Sequence, residues 1–132
     1  MTSPVLAGHY VVREPGPDPR TGKWSASFAV AITGDEPVFA GHYPHFPIFP
    51  GVCVLECVRD AARSAMPPGA GELRLAVVES ARFLSSVHPG DVLEIELTWV
   101  PYGDDWRCDA KAATARGRAA TVRCRYRREE TS

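Results

Sequence analysis

The stretch that most constrains the fold is residues 41–56, which reads GHYPHFPIFPGVCVLE. Its three prolines favour a loop, because proline is excluded from a helix interior but accepted at or just before a helix start. Pro50-Gly51 therefore predicts a helix entry, and the prolines at 67 and 68 predict its end near Ala65. Residues 52–58 form the predicted buried body, and a helix without a polar face must be covered on all sides.

One carboxylate, Glu56, falls in the second turn of this predicted helix. Acidic side chains are seldom fully buried unless they are paired or functional. An apolar setting disfavours the charged form of a carboxyl group, which is one way to obtain a general acid at neutral pH. The alternative is that Glu56 reaches the edge of the helix and pairs with Arg59 or Arg63.

Length and charge limit the class of protein. The 132 residues predict one domain spanning 1–132, with a formal net charge of −1 that gives no general attraction to nucleic acid or to an acidic membrane. No apolar run approaches the roughly 18 residues that span a bilayer. Met1–Val12 lacks the basic segment and long apolar core of a secretory signal. We therefore expect a cytoplasmic protein that binds neither membrane nor nucleic acid.

The four cysteines fit that compartment as free thiols. Cys53 and Cys57 are four residues apart on the predicted helix, about 5–6 Å at Cβ, which is too far for a relaxed disulfide. Cys108 and Cys124 lie on successive predicted strands, where buried free thiols are the simplest account. The absence of any CxxC pair gives no indication of a zinc knuckle or a redox dithiol.

Alternating apolar and polar residues predict about six strands besides the helix. The pattern is cleanest in residues 92–100, and 14–22 and 87–91 predict a loop and a type II turn. The expected fold is α+β, a curved, mostly antiparallel sheet wrapped around one long buried helix. Such a sheet leaves an edge open, so we expect a dimer with the two sheets joined edge to edge. The predicted strands are 5–12, 23–32, 73–84, 92–100, 106–114 and 118–127.

Three segments resemble one family. GHYP at 41–44, Pro47, PGV at 50–52 and Glu56 are similar to GHFPxxPxxPGVxxxE, the signature of the hot-dog-fold 3-hydroxyacyl-carrier-protein dehydratases (FabZ/FabA-like). DEPVF at 35–39 resembles the NEPFF segment of that family, and residues 81–91 resemble KFRRPVxPGD. The resemblance covers about residues 23–127. It implies a hot-dog fold and a lyase that removes water from a 3-hydroxyacyl thioester in fatty-acid or polyketide biosynthesis.

Carried over by position, the resemblance implies a role for each matching residue. His42 would remove the α-proton, Glu56 would protonate the departing 3-hydroxyl, and the Gly51 N–H would polarise the thioester carbonyl. Phe49, Val52 and Tyr43 would contact substrate. No cofactor and no metal are implied.

The same resemblance implies partners. These are an acyl carrier protein with a phosphopantetheine-linked acyl chain and a second hot-dog subunit, in a homodimer, an oligomer of dimers or a heterodimer. The His of one subunit and the Glu of the other would meet at the dimer interface, beside a tunnel for the acyl chain.

Departures from the pattern favour a specialised, polyketide-type dehydratase. Only residues 7–12 match the segment with which fatty-acid members begin, CVRD at 57–60 replaces AxAQ, and Phe49 replaces a common methionine. The alternatives are an acyl-thioesterase, an enoyl hydratase and a non-catalytic subunit of a heterodimer. His42 argues against the thioesterase, and retention of both His42 and Glu56 argues against a non-catalytic chain.

Two further patterns have simpler explanations. His42 and His45 have an HxxH spacing, but no third ligand lies at a metal-binding distance in sequence. Arg123, Arg125 and Arg127 alternate along the last strand and could dock an acidic carrier protein. We interpret this stripe as a solvated sheet face balanced by Glu94, Glu96 and Asp109.

Overall fold

A computed structural model describes residues 9–33 and 49–129, which form one six-stranded antiparallel sheet and one helix. The order across the sheet is β1-β2-β4-β5-β6-β3, so β1 and β3 are its two edges. Every neighbouring pair is antiparallel, and the predicted α+β architecture is confirmed. The elements are β1 His9–Pro17, β2 Trp24–Ala31, α1 Gly51–Ser64, β3 Leu73–Phe83, β4 Val92–Tyr102, β5 Asp105–Thr114 and β6 Gly117–Arg128.

The core lies between one face of the sheet and one side of α1. In β4 the predicted inward residues are all 0% exposed, and their outward neighbours Glu94 and Glu96 are exposed. The alternation predicted for β6 is also confirmed, with Val122, Cys124 and Tyr126 buried. The inward residues of β4 are Leu93, Ile95, Leu97 and Trp99.

The prediction for the start of the sheet is wrong in part. β1 continues to Pro17, through a segment that the prolines and glycine had assigned to a loop. The strand tolerates Pro15 and Pro17 because β1 is an edge strand. A backbone N–H that points away from the sheet makes no ladder hydrogen bond, so proline, which lacks the N–H, breaks none at such a position. Its register with β2 shifts between Val11 and Arg13 and again between Arg13 and Gly16. The predicted residues 5–8 lie outside the described residues.

The helix differs from its prediction in burial rather than in position. It begins at Gly51 and ends at Ser64, within one residue of the predicted bounds. Its buried residues cover one side only, and Val52 is 69% exposed. The prediction that residues 52–58 are buried throughout is therefore wrong, because the sheet of a single chain covers only one side of α1. The buried residues are Cys53, Val54, Cys57, Val58, Ala61 and Ala62.

The type II turn at 87–91 is confirmed. The Asp91 N–H donates to the His88 oxygen at 3.0 Å, and Gly90 has φ +92° at the third position of the turn. A positive φ there is accessible to glycine without steric cost.

The prediction for the thiols is also confirmed. All four cysteines are buried and none of them is in a disulfide with a described residue, and Cys108 lies directly opposite Cys124 on β5 and β6.

Candidate active site

The site is built on the first two turns of α1. Pro50 is the N-cap residue, with extended backbone angles (φ −63°, ψ 151°), and its carbonyl accepts the N–H groups of Cys53 (2.9 Å) and Val54 (3.2 Å). Helix geometry provides no intrahelical acceptor for the first N–H groups, and the aligned peptide dipoles make this end of the helix positive. The Gly51 N–H is therefore suited to donate to an oxygen that gains negative charge.

Gly51 allows a close approach of a side chain to the helix entry. A Cβ built on it would lie 3.0 Å from two ring atoms of Phe83, at the end of β3. Separations of this size are tighter than ordinary van der Waals contact, so the glycine lets the ring lie against the helix entry. Gly51 and Phe83 border a cleft of about 430 Å³, with Phe49, Pro50 and Val54 on the same wall.

Glu56 lies one and a half turns further along, on the side of α1 that the sheet leaves open. It shares this side with Val52, because residues four apart on a helix are neighbours. Glu56 is half-buried, and it forms no ion pair with any described residue. Pairing with Arg59 or Arg63, the structural alternative for this carboxylate, is therefore not observed.

Glu56 borders a second cleft, of about 170 Å³, between α1 and the strands β3 and β6. Most of its wall is apolar, so the cleft is suited to an alkyl chain, and the carboxyl group of Glu56 on this wall is suited to a single proton transfer. Arg59 is the only basic residue on this wall among the described residues. The wall consists of Val52, Leu55, Glu56, Val58, Arg59, Leu75, Val78, Val122, Cys124 and Tyr126.

Tyr126 is the aromatic residue of that wall. It is 4% exposed and its ring packs against Trp99, with the centroids 5.0 Å apart. Burial is the largest cause that raises the pKa of Tyr126 above its ordinary value, and the neighbouring Cys108 and Cys124 thiols add to it. The phenol therefore stays neutral and acts as a rigid floor of the cleft.

The structure brings together only part of the predicted site. Glu56, Val52 and Gly51 share the first two turns of α1, as predicted from the spacing. Phe49 is 2% exposed and packs in the core, while one side of it borders the cleft at the helix entry. His42 and Tyr43 lie outside the described residues, so their roles stay predictions.

Sequence reasoning missed Phe83 and Tyr126. Both lie on strands predicted correctly, and the alternation of β6 turned Tyr126 inward. The alternation within a strand predicts on which side of the sheet a residue lies, but it does not predict which residue of the helix lies opposite. The close approach of Phe83 had one sequence signal, the glycine that opens the helix.

The arginine stripe lies on the outer face of the sheet, where acids neutralise much of it. Asp109 contacts both Arg107 and Arg123 at 3.1 Å, and Glu79 lies 3.6 Å from Arg125. The predicted contribution of Asp109 is confirmed and Glu79 adds a second, whereas Glu94 and Glu96 form no ion pair with a described residue. Arg125 also stacks over the ring of Tyr102, 5.2 Å from its centroid.

Among residues 9–33 and 49–129, no group of three or more His, Cys, Asp or Glu side chains could hold a metal ion. Over the same ranges, no helix is long and apolar enough to cross a bilayer.

The fold and the carboxylate on the open side of α1 define the hot-dog class. A chain of the dehydratase heterocomplex ApeI:P from Xenorhabdus doucetiae superposes with a TM-score of 0.68 over 95% of this chain and 98% of that one, at 17% identity. A Streptococcus mutans protein, smu.793, bound to acetyl CoA, gives a TM-score of 0.72 over 92% and 89% of the two chains, at 13% identity. Identities this low support the fold alone.

The family follows from sequence. The family model of the ApeI-like proteins, described as ApeI dehydratase, matches residues 18–119, which is well over half of the chain. The chain belongs to the ApeI-like dehydratase family.

Curated relatives agree with this family. The 3-hydroxyacyl-[acyl-carrier-protein] dehydratase FabZ of Desulforamulus reducens is 43% identical over 70 residues, which is 50% of this chain and 49% of the relative. FabZ of Haemophilus ducreyi is 35% identical over 89 residues, 63% of this chain and 57% of the relative. The chain thus spans about half the length of the curated relatives it matches.

Proposed function

We propose that this protein removes water from a 3-hydroxyacyl thioester to give a trans-2-enoyl thioester. The observation that carries the proposal is Glu56, a half-buried carboxyl group on the wall of an apolar cleft that forms no ion pair with a described residue. It lies on the same helix as the N–H groups at Gly51 and fourteen residues after His42. Membership of a dehydratase family supports the same reaction.

The residues divide the chemistry as follows. His42 takes the α-proton, and the electron pair of that C–H bond forms the new double bond. Glu56 gives its proton to the 3-hydroxyl, which leaves as water. The helix N-terminus at Gly51 stabilises the charge that develops on the thioester oxygen.

These contributions have known sizes. General acid or base assistance contributes about 10²–10⁴-fold per group, and one oxyanion donor about 10²–10³-fold. The proton taken by His42 and the proton given by Glu56 balance over one turnover after exchange with solvent. The reaction therefore needs no cofactor.

The proposed substrate carrier is an acyl carrier protein, which the names of the FabZ relatives state for those proteins. The phosphopantetheine-linked acyl chain is part of the proposal. The two clefts at α1 suit this substrate. The cleft at the helix entry has room for the thioester, and the apolar cleft beside Glu56 accepts part of the alkyl chain.

The proposed assembly is a dimer through the β3 edge. β3 pairs with β6 on one side only among the described residues, and β3 with the following Leu84 exposes several large apolar side chains, of which Val78 shares a cleft with Val52. An exposed apolar edge of this kind is normally covered, because its unpaired backbone groups would otherwise template aggregation. A second copy, or a related hot-dog chain, would cover both the edge and the open side of α1. The exposed residues are Val77, Val78, Phe83 and Leu84.

The test is mass spectrometry of 3-hydroxyacyl thioesters, on carrier protein and on a small thiol mimic, incubated with the purified protein. We expect the loss of one water, which disappears in the His42→Ala variant. Release of free acid would move the assignment to a thioesterase. No change on any acyl chain, with or without a partner hot-dog chain, would contradict an enzymatic role.

A further inference from the structure

Both ends of the segment that carries His42 are hydrogen-bonded to one turn. At one end, the Ile32 N–H donates to the backbone carbonyl oxygen of Asp91 at 2.8 Å, and the Gly90 N–H donates to the backbone carbonyl oxygen of Ile32. At the other end, the Phe49 N–H donates to the Val87 oxygen at 2.7 Å. Residues 34–48, which include His42, connect these two ends.

The three anchor points are themselves fixed in the core. Ile32 is 1% exposed, and Phe49 and Val87 are each 2% exposed. Phe49 and Val87 form an isolated antiparallel bridge, so the chain leaves the His42 segment in a defined direction and enters α1 directly afterwards. A shift of the 87–91 turn would therefore move both ends of the segment together.

The carboxylate of Asp91 holds the 87–91 turn. The Asp91 Oδ2 accepts the His88 N–H at 2.7 Å, which closes the turn on itself. The side chain of Asp91 is 14% exposed, whereas that of its partner Arg116 is 51% exposed.

Arg116 ties this turn to the β5–β6 turn, which lies at the same end of the sheet. Its two terminal nitrogens bond both oxygens of Asp91, at 2.9 Å and 2.6 Å, and one of them also bonds the Ser86 oxygen at 3.0 Å. Arg116 lies between β5 and β6, twenty-five residues from Asp91 in sequence. A bidentate guanidinium–carboxylate pair fixes orientation as well as distance, which a single ammonium group does not.

We propose that Arg116 is a positioning residue for the dehydration reaction. Through Asp91 it fixes the 87–91 turn, and through that turn it fixes both ends of the His42 segment relative to Glu56 on α1. Arg116 does not touch the substrate. The proposal rests on the proposed function, and it adds a residue that neither the motif nor the cleft contains.

The physical reason is the sensitivity of proton transfer to geometry. A displacement of about 1 Å in a catalytic group, caused by a change far from the chemistry, costs about 10²-fold in rate. Loss of the Arg116 clamp would leave the backbone bonds at Ile32 and Phe49 in place but remove the ion pair that orients the turn carrying them. We therefore expect the turnover rate to fall while substrate binding changes little.

The experiment measures kcat and KM for a 3-hydroxyacyl thioester on a small thiol mimic, which excludes carrier docking. Arg116→Ala should lower kcat by about 10–100-fold with KM nearly unchanged. The kcat of Arg116→Lys should lie between those of Arg116→Ala and the wild type, since lysine replaces the two parallel guanidinium hydrogen bonds with a single ammonium contact. Asp91→Asn keeps an acceptor for the His88 N–H and loses the ion pair, so it should match Arg116→Ala. The double variant should be no slower than either single variant, because one interaction is removed once.

Arg123→Ala is the matched control. Arg123 is 50% exposed and Arg116 is 51% exposed, and each is ion-paired to one aspartate. Arg123 lies on the outer face of the sheet and contacts Asp109, so its removal should leave kcat unchanged. Added guanidinium ion should restore part of kcat to Arg116→Ala and none to Glu56→Gln. A role of Arg116 in stability alone would lower the melting temperature of Arg116→Ala and leave kcat of the folded variant unchanged.

The outcomes separate the two proposals. If the wild type does not dehydrate the substrate, the proposed function fails. If the wild type is active and Arg116→Lys and Asp91→Asn keep its full kcat, the positioning role fails while the function stands. A rise in KM at unchanged kcat in these variants would also overturn the positioning role of Arg116. If Arg116→Ala does not fold, the Lys and Asn variants still decide between these results.

Discussion

The two sides of α1 have opposite characters. One side is packed against the sheet by small and branched side chains, with Ala61 and Ala62 each 0% exposed. The other side carries Val52, Glu56 and Arg59, and the described part of the chain leaves it open or half-open. The first side holds the helix in the fold, and the second presents a carboxyl group to a cleft. Changes on the first should therefore alter stability, and changes on the second should alter activity or assembly.

The largest effect is expected at Glu56. Glu56→Gln preserves size and polarity but cannot give up a proton, so dehydration should fall by about 10²–10⁴-fold. The melting temperature should stay close to that of the wild type, because Glu56 forms no ion pair with a described residue. Steady-state kinetics and a thermal melt on the same sample check both halves. If Glu56→Gln keeps its activity, Glu56 is not the acid of the reaction.

The opposite result is expected on the packed side. Ala61→Leu inserts three carbon atoms at a fully buried position and should destabilise the fold by about 1–3 kcal/mol. Its kcat at a temperature where it remains folded should be close to that of the wild type. Denaturant unfolding measures the loss. A large fall in kcat with unchanged stability would show that the two sides of α1 are not separate.

A smaller effect is expected at Val52, on assembly. Val52 is 69% exposed in the single chain, and Val12 on β1 is 56% exposed. If a second copy covers the open side of α1, Val52→Lys should weaken the dimer by about tenfold or more, because a buried valine contributes about 1.5–3 kcal/mol. Val12→Lys, on the opposite edge of the sheet, should leave the dimer intact. Sedimentation over a range of concentrations distinguishes the two, and equal behaviour would place the interface elsewhere.

The smallest effect is a pH dependence at the turn beside the helix entry. The hydrogen bonds from Arg116 hold the pKa of Asp91 below its usual value, and the His88 N–H adds to this. A carboxyl group whose pKa is lowered by folding stabilises the fold above its unfolded pKa of about 4 and loses that contribution as the pH falls through the folded value. The wild type should therefore melt a few degrees above Asp91→Asn at pH 7, and the two curves should converge in acid. A constant difference at all pH values would contradict this linkage.

Much of the fold was predictable because its patterns are local. Strict alternation located β4 and β6 with the correct face inward, and the prolines around α1 fixed both of its ends within one residue. The extension of β1 to Pro17 was missed, because whether proline is tolerated depends on the strand being an edge, which is a property of the whole sheet.

The site was predictable to a lesser degree. The motif located Gly51 and Glu56 on one helix, since their spacing lies within a single element. The residues opposite them, Phe83 and Tyr126, and the clamp from Arg116 come from distant strands and turns. Their positions depend on sheet order, β1-β2-β4-β5-β6-β3, which alternation within single strands does not determine.

We propose that the open side of α1 is a catalytic face that a second copy completes. The most direct test mixes His42→Ala with Glu56→Gln, after partial unfolding and refolding together, and measures dehydration. Each variant alone should be inactive, and the mixture should regain a fraction of wild-type activity, because some mixed dimers hold one site with both residues intact. Mixed dimers that form, as shown by tagged pull-down, and yet remain inactive would contradict a site shared between subunits.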